Sequence, residues 1–142
     1  MDKGFTLIEL LIVSAILAIL AGLTVPSLTS TYSDYVLTSE KDLASSLLRR
    51  TRSLAMAGFN DNDHGIKIAS ASYIEFEGTT YATRDASKDI LTPRNADIAV
   101  SGSTEFVFSR LSGRSDQAML ILILDDLNKA SISINQEGLI NW

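Results

Sequence analysis

The chain has 142 residues, of which 46% are hydrophobic and 20% charged, and its formal net charge is −5 at pH 7. This length accommodates one domain, and the acidic balance does not favour an electrostatic grip on nucleic acid or anionic lipid. The chain has no cysteine, which excludes disulfides and thiolate chemistry, and its single histidine, His64, gives little basis for a multi-histidine metal site or a Ser-His-Asp relay. We therefore expect a protein that is not an enzyme and needs no cofactor or metal.

The first element is an apolar segment at residues 5–28, which reads FTLIELLIVSAILAILAGLTVPSL and carries one charge, Glu9. As a helix it would span roughly 36 Å at about 1.5 Å per residue, which is enough to cross a bilayer. A secretory signal peptide would need a basic start, a shorter apolar stretch and a small-residue cleavage site, so we do not expect signal peptidase to remove this segment. Lys3 favours a cytoplasmic N-terminus and Asp2 weakens that bias, so we expect a single-pass inner-membrane protein with an external head.

Glu9 needs an explanation, because a carboxylate inside an apolar helix costs several kcal/mol unless a positive group meets it. One interpretation places Glu9 near the headgroups, where the positive end of the helix dipole stabilises it. The other interpretation gives it a cationic partner. The residues alone leave both open.

Residues 4–9 read GFTLIE and precede a long uncharged run, and they resemble the processing motif of type IV prepilins and pseudopilins. The resemblance implies that residues 1–4 are a leader, which a prepilin peptidase removes by cleavage after Gly4 on the cytoplasmic face. It also implies N-methylation of Phe5, retention of the apolar helix as the filament core, and pairing of Glu9 with the terminal amine of an adjacent subunit. A unit-charge pair in a low dielectric is strong enough to select the register of the helices.

Gly22 and Pro26 lie within the same apolar helix. Proline removes a backbone hydrogen bond and glycine lowers helix propensity, so we expect a kink or local melting nearby. Membrane helices also tolerate both residues without consequence. Similar residues in pilins mark the stretch that unwinds during assembly, so the resemblance implies an assembly role for Gly22 and Pro26.

Residues 29–57 continue as an amphipathic second half of the helix, which we expect to run from residue 5 to residue 57 and to stop at Gly58. Three arginines, Arg49, Arg50 and Arg52, are interpreted as a solvated face or a subunit contact rather than as a nucleic-acid site. The apolar positions expected to face the head are Val36, Leu43, Leu47 and Leu54.

Residues 58–142 change to the alternating period that is typical of strands, and form the head. The run at residues 118–124, AMLILIL, suits a strand that is buried on both faces, and turns after it predict an antiparallel meander to residue 140. Residues 79–95 are polar and are interpreted as a loop. The other expected strands are at residues 66–68, 73–76, 98–100, 106–108, 131–134 and 139–140.

These elements predict an α+β lollipop, in which one long N-terminal helix packs on an antiparallel β-sheet head. The head resembles the H-type minor pseudopilins of type II secretion and the FimT- and FimU-like minor pilins. The residues that carry this looser resemblance are residues 106–108 (FVF), Gly113 and residues 138–140 (GLI).

Three further groups of residues have two interpretations each. The loop at residues 60–65, NDNDHG, could suggest calcium through Asp61 and Asp63, but the same residues favour a plain turn, as do Asp125 and Asp126. The aromatic side chains Tyr73, Phe76 and Tyr81 could stack on a ligand, but alternating aromatics in a strand are more typical of a core or of cross-strand pairs.

We therefore expect a structural subunit, a minor pilin or pseudopilin, of a type IV pilus-like filament that serves pilus biogenesis, type II secretion or DNA uptake. Its expected partners are other pilin or pseudopilin subunits, the prepilin peptidase, the inner-membrane assembly platform and, before assembly, membrane lipid. The assembled filament would be periplasmic or at the cell surface. The alternative function is a membrane-anchored module that binds DNA or a secreted substrate.

Overall fold

The computed structural model describes residues 4–126 and 128–142, and within helix α1 the side chains of residues 23–31 lie outside the description. The chain divides into two compact units, residues 1–35 and 36–142. Helix α1 (Leu7–Met56) begins in the first unit and ends in the second. The predicted helix, residues 5–57, is confirmed to within two residues at each end.

The helix ends at a glycine, as predicted. Gly58 has φ +64°, a left-handed conformation that glycine adopts without steric cost, and its N–H donates to the Ala55 carbonyl over 3.0 Å. A Cβ at this position would lie 2.9 Å from Cδ2 of Leu111, so a larger residue would displace the end of that side chain.

The second unit folds as antiparallel β-structure against the last part of α1. Short 3₁₀ turns lie at Phe59–Asp61, Tyr81–Thr83 and Ala86–Lys88. The strands are β1 (His64–Ile68), β2 (Ser72–Glu77), β3 (Ile90–Pro93), β4 (Ala99–Gly102), β5 (Glu105–Phe108), β6 (Ala118–Ile123), β7 (Lys129–Ile134) and β8 (Ile140–Asn141). The α+β class predicted from the sequence is confirmed.

Within the described residues the strands form two four-stranded sheets. The first sheet has the order β3-β2-β1-β5 and the second has the order β4-β6-β7-β8. The predicted meander through β6, β7 and β8 is confirmed. In the described chain the head therefore contains two sheets rather than the single predicted sheet. The chain passes from one sheet to the other between β4, which pairs with β6, and β5, which pairs with β1.

The interpretation of residues 79–95 as a loop is wrong in its last part. Residues 90–93 form β3, which pairs antiparallel with β2 and places Pro93 opposite Ser72. A proline at the end of an edge strand leaves the ladder intact, because an edge strand offers one side of its backbone to solvent. The proline that indicated a loop in the sequence is therefore compatible with a strand.

The prediction that the apolar run at residues 118–124 is buried on both faces is also wrong. Leu120 and Leu122 are fully buried, whereas Met119 is 51% exposed and Ile121 and Ile123 are half-buried outside the core. The core covers one face of β6, and nothing in the described chain is packed as a second layer on the other.

One core joins α1 to the inner faces of both sheets. The buried residues of α1 include three polar ones, Glu40, Ser45 and Thr51, and the predicted position Leu54 is half-buried outside the core. Leu47 is buried as predicted, and Val36 and Leu43 pack at the margin. The main core side chains of α1 are Leu37, Ala44, Leu47, Leu48 and Ala55.

Candidate processing and assembly site

The residues singled out at the N-terminus lie directly before α1. Gly4 and Phe5 have no regular secondary structure and both are exposed, Phe5 to 83%. A Cβ at Gly4 would meet nothing within 4 Å. The Gly4–Phe5 peptide bond is therefore accessible to an enzyme, and the fold does not itself require glycine at position 4.

Glu9 lies in the first turn of α1, where it forms a capping box with Thr6. The Thr6 hydroxyl accepts from the Glu9 backbone N–H over 3.3 Å, and the Glu9 carboxylate accepts from the Thr6 backbone N–H over 3.5 Å. The reciprocal pair satisfies two of the donors that a helix leaves unpaired at its start. Its bonds are long and exposed, so the Glu9 carboxylate is held loosely and stays available to a stronger cationic partner.

Thr6 is a helix-capping residue whose role the sequence interpretation missed. The pattern Thr6-x-x-Glu9 is a capping-box signature, and reading it would have located the helix start at residue 7. Pairing of Glu9 with a neighbouring terminal amine stays a prediction.

Between residue 10 and residue 22 the helix exposes apolar side chains on all its sides. Consecutive positions such as Leu10, Leu11 and Ile12 are 68%, 60% and 55% exposed, so the described surface of this stretch has no polar stripe. A helix that is apolar all round is stable only when lipid or other apolar helices surround it. The other exposed apolar residues are Phe5, Leu7, Ile8, Val13, Ile16, Leu17, Ile19 and Leu20.

The two positions assigned to assembly, Gly22 and Pro26, fall within α1. Gly22 is exposed, and a Cβ there would meet nothing within 4 Å. The side chain of Pro26 lies outside the described residues, so the expected kink stays a prediction. In the part of the chain that is described, no helix reaches both the length and the apolarity needed to cross a membrane. The predicted span, residues 5–28, extends into the stretch of undescribed side chains.

Two residues of the arginine cluster of α1, Arg49 and Arg50, are exposed, as a solvated face predicts, and all three arginines also contact the protein's own head. Arg50 Nη1 donates to Glu75 Oε2 over 2.9 Å, and the Arg49 guanidinium lies 3.6 Å from the centre of the Trp142 ring. Arg52 donates to the Gly113 and Glu137 carbonyl oxygens over 3.3 and 3.0 Å. These contacts form because the strands bring acceptors from distant parts of the sequence to the helix.

The acidic loop after α1 is a turn, as favoured from the sequence. The Asp61 carboxylate pairs with the Arg110 guanidinium, and Asp63 Oδ1 accepts from the Arg110 backbone N–H over 2.7 Å. Asp125 likewise accepts from Asn128 within its own turn. Within the described residues, no group of three or more His, Asp or Glu side chains is placed to hold a metal ion.

The aromatic residues are part of the head rather than a ligand surface, which confirms the favoured interpretation. Tyr73 and Phe76 are buried, and the Phe76 and Tyr81 rings meet edge to face at 5.6 Å. The other face of Tyr81 is covered by Arg84, whose guanidinium lies 3.5 Å from the ring centre. These three rings therefore leave little free surface on which a nucleic-acid base could stack.

Comparison with known families identifies the N-terminal segment. Residues 1–25 match the family model of the prokaryotic N-terminal methylation motif. The match confirms a type IV prepilin-like start, which implies assembly with other pilin subunits and processing by a prepilin peptidase. No solved structure matches the chain.

Proposed function

We propose that this protein is a structural, non-catalytic subunit of a type IV pilus-like filament, cleaved after Gly4 and N-methylated at Phe5. The methylation motif at residues 1–25 is the single observation that carries the proposal. The exposed Gly4–Phe5 bond supports it, because a peptidase needs an extended, accessible segment on either side of the bond it cuts.

The apolar first part of α1 supplies the assembly surface. Its exposed side chains would anchor the subunit in the inner membrane before assembly, with the N-terminus in the cytoplasm and the head outside. In the filament the same side chains would pack against the helices of other subunits. When the subunit leaves the membrane, its apolar helix would therefore exchange contacts with lipid for contacts with other apolar helices.

Glu9 gives that packing a register. After cleavage the new terminal amine lies at Phe5, and an amine from one subunit can replace the weak Thr6 contacts of Glu9 in the next. A charge pair in a low dielectric is favourable only in a defined geometry, so it selects one axial offset between adjacent helices.

Within this class we place the protein among the minor pilins or pseudopilins of the H type. The arrangement of one long helix followed by two antiparallel sheets supports this assignment. Its processes would be pilus biogenesis, type II secretion or DNA uptake, with the inner-membrane assembly platform as a further partner. No observation favours the alternative DNA-binding module, since Arg49, Arg50 and Arg52 are engaged by the head.

The proposal is tested by replacing Glu9 with glutamine in cells that assemble the filament. Glu9→Gln keeps the shape and hydrogen-bonding capacity of the side chain but removes its charge, so the neighbouring terminal amine would lose its partner. We expect the chain to be processed normally and its recovery in the sheared filament fraction to fall at least about tenfold, a change that corresponds to about 1.4 kcal/mol.

Glu137→Gln is the matched control, because Glu137 pairs with Arg114 at the surface of the head, where both side chains are more than half exposed. It should assemble like the wild type. Equal recovery of Glu9→Gln and wild type in filaments, or failure to find the wild-type chain in any filament, would contradict the proposal.

A further inference from the structure

The second sheet has an outer face that carries an apolar ridge flanked by serine residues on the neighbouring strands. The ridge consists of Met119, Ile121 and Ile123 on β6. Ser133 and Ser131 on β7 lie opposite Met119 and Ile121, and Ser101 on β4 lies opposite Ile121 from the other side. We call these six residues the ridge face.

The ridge is the outward-facing part of the apolar run at residues 118–124, which predicted a strand buried on both sides. Apolar residues at every position of a strand are typical of strands that have a layer packed on each face. On β6 the inner positions, Leu120 and Leu122, are buried in the core, whereas Met119 is 51% exposed and no part of the ridge belongs to the core. The described chain therefore covers one face of β6 with a packed layer, although the sequence of β6 is typical of a strand with a layer on each face.

The charge of the ridge face indicates the class of partner. None of its six residues is charged, and in the neighbouring register only Lys129, opposite Ile123, carries a charge. Nucleic acid and anionic membranes are bound through clusters of basic side chains, which this face lacks. The composition of this face therefore fits an uncharged, largely apolar protein surface better than nucleic acid or an anionic membrane.

The size of the ridge face indicates how such a partner is held. Strands β6 and β7 are six residues long and β4 is four, so at about 3.3 Å per residue and about 4.8 Å per strand they give roughly 250 Å² of sheet. A stable complex buries about 800 Å² on each partner, so this face alone cannot hold a freely diffusing protein. The ridge face can contribute to binding when another contact keeps the partner close, because tethering raises the effective concentration of the partner.

We propose that the ridge face packs against the head of a neighbouring pilin-like subunit in the filament. The inference rests on the proposed function, because packing of the apolar helices is the tether that brings two heads together. The partner's apolar side chains would enter the troughs above Ser101, Ser131 and Ser133, on either side of the ridge.

The test is site-specific photocrosslinking in the full-length chain within cells that assemble filaments. The photoreactive residue p-benzoylphenylalanine replaces one serine at a time, and adducts are identified by mass spectrometry. Ser131 reports on the ridge face, Ser14 on the apolar helix, and Ser70, an exposed serine in the turn between β1 and β2, serves as the control for non-specific capture.

We expect the probe at Ser131 to give adducts with the head of another pilin-like subunit, at a yield well above that at Ser70. Subunit adducts from Ser14 without any from Ser131 would overturn the inference and leave the proposed function standing. Adducts from Ser131 with lipid or with a protein that is not pilin-like would overturn it as well. Absence of subunit adducts from both Ser14 and Ser131 would count against the proposed function itself.

Ser131→Lys provides a second measurement that leaves the core untouched, because Ser131 is exposed. A lysine buried without a partner in an apolar contact is unfavourable, so we expect recovery in filaments to fall at least about tenfold. Ser70→Lys should assemble normally. Equal recovery of the two lysine variants would overturn the inference.

Discussion

At the scale of single residues, a buried polar group fixes α1 to the first sheet. The Tyr73 hydroxyl donates to Glu40 Oε1 over 2.8 Å, and the Arg94 side chain, 3% exposed, places Nε 3.8 Å from the same oxygen. The backbone N–H of Asn95 donates to the other Glu40 oxygen over 3.3 Å. Burial raises the pKa of Tyr73 well above its ordinary value, and the Glu40 carboxylate adds to the shift. The hydroxyl is therefore a permanent donor at neutral pH.

Removal of that donor should destabilise the head. Tyr73→Phe leaves the ring in place but deprives a buried carboxylate of a hydrogen bond, which typically costs about 1.5–3 kcal/mol. Thermal unfolding of the full-length chain in detergent would show the loss as a lower Tm.

Tyr81→Phe is the control, since the Tyr81 ring is held by Phe76 and Arg84, and these ring contacts persist without the hydroxyl. We expect it to change stability by less than about 0.5 kcal/mol. Equal losses in the two variants would mean that the Glu40 contact contributes nothing.

At the scale of elements, α1 holds the closing turn of the second sheet. Arg52 reaches the backbone carbonyl oxygens of Gly113 and Glu137, which belong to two separate loops. Gly138 has φ +74°, and a Cβ there would clash with the Gly113 carbonyl oxygen and lie 2.9 Å from Arg52 Nε, so the turn between β7 and β8 packs tightly against the Gly113 loop and the arginine. The helix thereby supports the two-residue strand β8.

Arg52→Ala should increase the opening of that turn. The variant loses both carbonyl contacts, so we expect faster hydrogen exchange at residues 138–141 with little change in β1 and β2. Arg114→Ala is a close control, because Arg114 bonds the side chain of the same residue, Glu137, in an exposed pair worth about 0–1 kcal/mol. Comparable exchange in both variants would show that the turn does not depend on α1.

The elements that could be predicted from the sequence are those set by local pattern. The 3.6-residue period and Gly58 located α1, and alternation located strands such as β1, β2 and β5. Strand β3 was missed, because only pairing with β2 makes residues 90–93 extended. The division into two sheets and the partners of the helix arginines depend on contacts between distant residues, which no local pattern carries.

The part of the candidate site that is a continuous sequence motif could be predicted. Gly4, Phe5 and Glu9 lie within the six residues 4–9, and the family comparison confirms the methylation motif at residues 1–25. The ridge face was not predicted, because an apolar run does not say whether its second covering layer belongs to the same chain.

At the scale of the whole molecule, the two units have surfaces of different character. The first unit exposes apolar side chains and a single charge, Glu9, among residues 4–22, whereas the second has its own core of helix and two sheets. An apolar environment would suit the first surface, and water would suit the second. The membrane insertion and the filament assembly proposed above would each supply both.

The most direct test of the account is the intact mass of the chain recovered from membranes that contain a prepilin peptidase. We predict a mature chain that begins at Phe5 and carries one N-methyl group. Gly4→Val should retain the leader, and Gly22→Val, a second exposed glycine where a Cβ meets nothing within 4 Å, should be processed like the wild type. If the wild type, Gly4→Val and Gly22→Val were all recovered as unmodified chains that begin at Met1, the result would contradict the account.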